Sequence, residues 1–197
     1  MNDLSTSSFA IDGDSGLLNP ARQCPSPNQD ERPDQEHARL LVLHSISLPP
    51  GEFGGPQIEQ LFLNKLDWDE HPYFSGIRDL KVSAHLLIRR DGEILQFVPF
   101  NRRSWHAGES SFRGIECCND YSIGIELEGD DDTDYTDLQY DVLTSVTVAL
   151  IDAYHGLDAR NIAGHCDIAP GRKVDPGPAF DWLRLYDGIA SQHSGTP

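Results

Sequence analysis

The chain has 197 residues, 38% hydrophobic and 24% charged, with 15 Lys+Arg against 32 Asp+Glu for a formal net charge of −17. That length suits one domain with a real core, and a field of this sign repels phosphate backbones, which excludes nucleic acid as an expected partner. No apolar run approaches the roughly eighteen residues of a membrane span, and "MNDLSTSSFA" has no basic segment leading into an apolar one, so a monomer in the cytoplasm, off the membrane, is expected.

In chain order, residues 1–37, most of "CPSPNQDERPDQEHAR" (Cys24 to Arg39) among them, read as an irregular N-terminal lead-in to a domain over 38–187. "RLLVLHSIS", Arg39 to Ser47, is a short apolar run that predicts a buried strand ending near a histidine. "LPPGEFGGP" breaks the backbone. "QIEQLFLNKL" then places Ile58, Leu61, Phe62 and Leu66 at helical spacing behind Pro56. "VSAHLLIRRDGEILQFVPF" predicts two strands joined at Asp91-Gly92. "YSIGIELEG" predicts a strand with Ile123, Ile125 and Leu127 on one face and Gly124, Glu126 and Glu128 on the other.

"TDLQYDVLTSVTVALIDAYHG" predicts a helix with a capping box at Thr136 and Gln139, a stripe of Leu143, Val146, Leu150 and Tyr154, and a stop at Gly156. "GHCDIAPGRKVDPG", Gly164 to Gly177, is poor material for helix or strand and predicts a loop bent by its Pro and Gly residues. "PAFDWLRLYDGI" predicts a short closing helix, and residues 188–197 a flexible tail. Irregular alternation of strands and helices predicts a mixed α/β domain, a central mixed β-sheet flanked by helices. Cys24, Cys117, Cys118 and Cys166 form no spaced framework and read as reduced thiols.

The loop from Gly164 gathers ligands and proton carriers. A catalytic zinc takes three protein ligands and leaves one position open. The candidates are His44, His85, His106, His165, Cys166, Asp167 and Asp175. His44 ends a strand, and His165 and Asp175 bracket a loop that folds back, giving a His₂Asp set with an open position. Taken alone, each imidazole reads as a satisfied structural or surface histidine rather than a ligand. His85, flanked by apolar residues, reads as a core histidine, and His106 in "SWHAG" as lining a cleft. Cys166, beside His165, points away if His165 binds metal. Glu126 faces away from Ile125 and Leu127, toward either solvent or a cleft. Lys173, two residues before Asp175, is either a surface lysine or a charge aimed at an oxyanion.

"HSISLPPGEFGG", "SAHLLIRRDGEILQFVPF", "SWHAG", "CNDYSIGIELEG" and "GHCDIAPGRKVDPGPAFDW" together resemble the zinc N-acetylmuramoyl-L-alanine amidases, in particular the cytosolic branch that trims anhydro-muropeptides. The resemblance runs in order from about Cys24 to about Tyr186. It implies the fold shared with peptidoglycan-recognition proteins, a Zn²⁺ cofactor on His44, His165 and Asp175, and catalytic roles for Glu126 and Lys173. It places Trp105 on the sugar side of the cleft. Two positions depart from the cytosolic pattern: Ser45 stands where Asn is common, and Cys117 where a basic residue often meets a stem-peptide carboxylate. Arg172 and Lys81 remain as carboxylate partners. The implied substrate is a small muropeptide. Retention of all five metal and catalytic positions speaks against a non-catalytic binding module, and the lack of a wall-binding region against a lytic enzyme acting on intact cell wall.

Overall fold

Leu40 to Leu43 are all buried, and strands covered on both faces carry such continuous apolar runs. The computed structural model describes residues 9–33 and 37–194. Its main sheet has six strands: β1 (Arg22–Gln23), β2 (Leu40–Ile46), β3 (Leu86–Ile88), β4 (Ile94–Gln96), β5 (Ser122–Glu128) and β6 (Ile162–Gly164). Their order is β6-β2-β5-β3-β4-β1. All neighbours run parallel except the β3–β4 hairpin, so the sheet is mixed. Gly92 takes a φ of +84° at the expected Asp91-Gly92 turn, a conformation that costs glycine little.

Among the described residues, four α-helices accompany the sheet: α1 (Gln57–Phe62), α2 (Asp137–Ala153), α3 (His165–Ile168) and α4 (Trp182–Ser194). Helix α2 opens on the expected box, in which the Thr136 hydroxyl accepts from the Gln139 amide and the Gln139 side chain accepts from the Thr136 amide. Its buried Leu143, Val146 and Leu150 meet Leu185 and Ile189 of α4, and both helices lie over Leu41, Leu43, Ile123, Ile125 and Leu127. These odd-numbered positions share one face of the sheet because strand side chains alternate. The even-numbered residues of β2 and β5, His44 and Glu126 among them, therefore point to the opposite face.

Several expectations are corrected in detail. The first helix stops at Phe62, because Asn64 adopts a left-handed φ of 57°; Leu66 is still buried. Tyr154, not Gly156, caps α2. The lead-in is not wholly irregular, since Arg22–Gln23 joins the edge of the sheet and Ala10–Ile11 pairs with Leu18–Asn19. The closing helix starts at Trp182 and continues to Ser194, so the expected tail from residue 188 is helical that far. Residues 1–8 and 34–36 of the lead-in and 195–197 of the tail lie outside the described residues, as does the side chain of His193. Among the described residues, no helix is long and apolar enough to cross a membrane.

Candidate metal centre and active site

Strand β2 pairs with β5 in a register that sets His44 beside Glu126, so the two side chains leave the sheet on the same face, near the C-terminal ends of parallel strands. Strand β6 flanks β2 on its other side and delivers His165 immediately past its last residue. Parallel sheets commonly bind ligands at this end. The loop that follows was expected to lack helix, yet His165–Ile168 forms one turn, with the Asp167 carboxylate accepting from the Gly164 amide at 2.7 Å. Asp167 is thereby occupied as a cap. The Cys166 amide donates to the Asp175 carbonyl at 2.9 Å. That bond returns the far end of the loop to its start and brings Asp175 against both histidines. Gly177 turns the chain away with a φ of +80°, and a Cβ there would lie 2.3 Å from Asp131 Oδ1.

His44 Nδ1 and His165 Nδ1 are 2.9 Å apart, and Asp175 Oδ2 lies 3.2 and 3.0 Å from them. Among the described residues this trio is the one group of three or more His, Cys, Asp or Glu residues with ligand atoms close enough to share an ion. The outer nitrogens fix what the inner ones offer. His165 Nε2 faces the Ala107 carbonyl at 3.1 Å, which only accepts, so the ring proton sits on Nε2 and Nδ1 presents a lone pair. His44 Nε2 faces His106 Nδ1 at 2.9 Å. Burial brings the His44 pKa down to about 4 against the pull of Asp175, so this ring is neutral. Asp175 is held ionised: burial alone would raise its pKa, but the two imidazoles bring it below the usual carboxylate range. A single proton satisfies one edge of this triangle. A divalent cation satisfies all three atoms at once, and His₂Asp with an open position is a zinc-type donor set. The residues present fit the metal.

Glu126 opens into the same cavity, of about 410 Å³, lined also by Ser45, His106 and Lys173. Its Oε2 is buried without a hydrogen-bond partner. Burial, then the charge of Asp175, raises its pKa well above the usual carboxylate range, with Lys173 opposing. Glu128, two residues on, differs: its carboxylate accepts from Arg89 Nη1 and the Gly54 amide and is consumed by the fold. Of the two glutamates on this face, only Glu126 has an oxygen to offer a reactant.

A second cleft, of about 280 Å³, meets the first at His106, His165 and Lys173 and is lined by Trp105, Lys81 and Arg172. It gathers every substrate-side residue expected from the sequence except Ser45, which lies in the first cavity. Arg172 is partly occupied, its Nη2 donating to the Ala107 and Glu109 carbonyls. Cys117 stands apart, in a third depression with Gly108, Glu116 and Arg172. His85 is a satisfied core histidine, with Nδ1 accepting from the Gly124 amide and Nε2 donating to the Arg102 carbonyl. Residues that the sequence did not single out also shape the site. Tyr135 donates to the Pro176 carbonyl, while Ser122, Gly124 and Asn119 surround His106. The signal for Ser122 and Gly124 was their alternation with Glu126 on one strand face; Asn119 lay in the motif "CNDYSIGIELEG" with no role assigned to it, and Tyr135 gave no signal.

A parallel-rich sheet with a His₂Asp cluster, and a glutamate whose Oε2 is buried and unpaired, at its strand ends defines a metal-dependent hydrolase class. The sequence profile of the N-acetylmuramoyl-L-alanine amidase family matches residues 34–178, and the chain belongs to that family. Within it, the chain is 62% identical to 1,6-anhydro-N-acetylmuramyl-L-alanine amidase AmpD of Citrobacter freundii over 172 residues, 87% of this chain and 91% of the relative. The crystal structure of a selenomethionine AmpD derivative superposes with a TM-score of 0.88 at 59% identity, covering 91% of this chain and 98% of that one. AmpDh3 of Pseudomonas aeruginosa, solved in complex with anhydromuramic pentapeptide, has a TM-score of 0.56 at 30% identity over 77% of this chain and 59% of its own.

Proposed function

We propose that the chain hydrolyses the amide bond between 1,6-anhydro-N-acetylmuramic acid and the L-alanine of small muropeptides, in peptidoglycan recycling, with zinc held by His44, His165 and Asp175. The observation that carries this reading is the meeting, in one cavity, of three convergent acceptor atoms and a buried carboxylate oxygen without a partner. The AmpD likeness and the AmpDh3 complex support the substrate class. The catalytic unit in this proposal is 38–187, acting as a monomer in the cytoplasm. The absence of a nucleic-acid partner follows from the net charge of −17.

Held by His44, His165 and Asp175, zinc would supply Lewis acidity toward the lactyl carbonyl and lower the pKa of a bound water. The rest is done by the chain. Glu126, with its raised proton affinity, takes the proton from the attacking water and hands it to the departing alanine nitrogen. Lys173 sets an ammonium at the cavity wall, where it meets the negative charge growing on the carbonyl oxygen. Trp105 offers a flat face to the sugar, Ser45 a hydroxyl beside the ligands, and Lys81 and Arg172 cationic groups to stem-peptide carboxylates. Glu126→Ala is expected to keep its zinc by elemental analysis while turnover falls ~10²–10⁴-fold. Full activity in that variant would remove the proton-transfer role, and loss of zinc would recast Glu126 as a ligand.

A further inference from the structure

Apart from Trp105, the motifs Ser104–Gly108 and Cys118–Gly124 have no task in the chemistry above, yet they enclose the outer side of both candidate histidine ligands. We propose that His106 and the Ala107 carbonyl, clamped by Asn119 and backed by Ser122, are positioning groups that dictate which nitrogen of His44 and of His165 faces the metal. This inference rests on the reading of those histidines as ligands.

The proton directions can be followed outward from a carbonyl. Ser122 donates its hydroxyl proton to the Cys118 carbonyl at 2.6 Å, so the oxygen turns a lone pair to His106 Nε2 at 3.0 Å. That nitrogen must then carry the His106 proton. In a neutral ring Nδ1 is left as an acceptor, and it faces His44 Nε2 at 2.9 Å. His44 donates there and keeps Nδ1 bare toward His165 and Asp175. The next residue does the same for the second ligand, since the Ala107 carbonyl accepts from His165 Nε2. Two consecutive residues thus specify both ligand tautomers. Their backbone is pinned by one atom: Asn119 Oδ1 accepts from the amides of His106 and Ala107, at 3.1 and 2.8 Å. Gly124 makes room for the device, because a Cβ there would lie 2.5 Å from His106 Cγ. Ser122, Gly124 and Glu126 therefore use alternate positions of one strand for three tasks: orienting His106, admitting its ring, and serving the reaction.

Partners of this kind typically control metal affinity by 10–100-fold. The test compares zinc affinity, by competition with a chromogenic chelator, in the unaltered chain, His106→Leu and His106→Asn. Leucine fills space without an acceptor, and a loss of about 10–100-fold is expected. Asparagine sets Oδ1 where Nδ1 stood, and its affinity is expected within about threefold of the unaltered chain. Unchanged affinity in His106→Leu, or equal losses in both variants, overturns the proposal. Should the variants fail to fold, nitrogen-15 NMR of the zinc-loaded unaltered chain reads the tautomer directly: a proton on His106 Nε2 is expected, and one on Nδ1 overturns the proposal. Failure of the unaltered chain to bind zinc would overturn the metal site itself, a separate result from equal affinities across the series.

Discussion

Glu126 sits in an environment that a carboxylate disfavours. A carboxylate oxygen buried without a partner costs free energy, and the fold retains Glu126 Oε2 in that state at the cavity wall. Its pKa is raised by burial and by Asp175, so the folded chain holds a proton that the unfolded chain releases near the ordinary value of about 4.3. Between those two points the folded state binds more protons, and stability falls as pH rises. Glutamine carries no such penalty. Metal-free Glu126→Gln should therefore melt above the parent chain at about pH 8, with the difference closing near pH 4. A melting difference independent of pH would contradict the burial of an ionisable Glu126. The sequence showed only that Glu126 leaves the strand opposite Ile125 and Leu127. Whether that side met water or a cleft depended on loops distant in sequence.

At the scale of elements, the local signals that could be read were those with a local cause. The run Leu40–Leu43 and the alternation through Ser122–Glu128 reflect burial by sheet neighbours, and the capping box reflects bonds within four residues. Less legible were elements created by tertiary bonds. The turn His165–Ile168 forms where Asp167 caps Gly164 and Cys166 ties to Asp175, and Arg22–Gln23 is a strand only because β4 offers it an edge. Helix α4 outruns its expected end where Ile189 packs against the same core as α2 and Gln192 Nε2 donates to the Ser145 hydroxyl. The cap of α2 offers a clean check, since this helix lies on the sheet face away from the metal site. Thr136→Ala should cost ~1 kcal/mol, a fall in melting temperature of about 2–4 °C, with zinc affinity unchanged. A change in zinc affinity would mean that α2 helps to set the site.

For the whole molecule, the sheet divides the work. One face is closed by α2 and α4 over an apolar core, and the other presents His44 and Glu126 in register, with His165 and Asp175 delivered from the adjacent strand end. The candidate ligands His44, His165 and Asp175, which the structure brings together, were legible from spacing and resemblance because each is a single residue in a recognisable motif. Their outer shell was not, because His106, Asn119 and Ser122 act only once three segments meet. The strongly acidic chain also gathers Lys81, Arg172 and Lys173 along one cleft, a local reversal of sign suited to a substrate bearing carboxylates. The central claim is zinc-dependent cleavage of the lactyl amide in a small muropeptide. It is tested most directly by incubating 1,6-anhydro-N-acetylmuramoyl peptide with the zinc-loaded chain, with the chelated chain, and with the chelated chain resupplied with zinc. The expected result is release of anhydro-muramic acid and a peptide beginning with L-alanine in equal amounts, abolished by chelation and restored by zinc. Release that survives complete removal of the metal, or no release from the zinc-loaded chain, would contradict it.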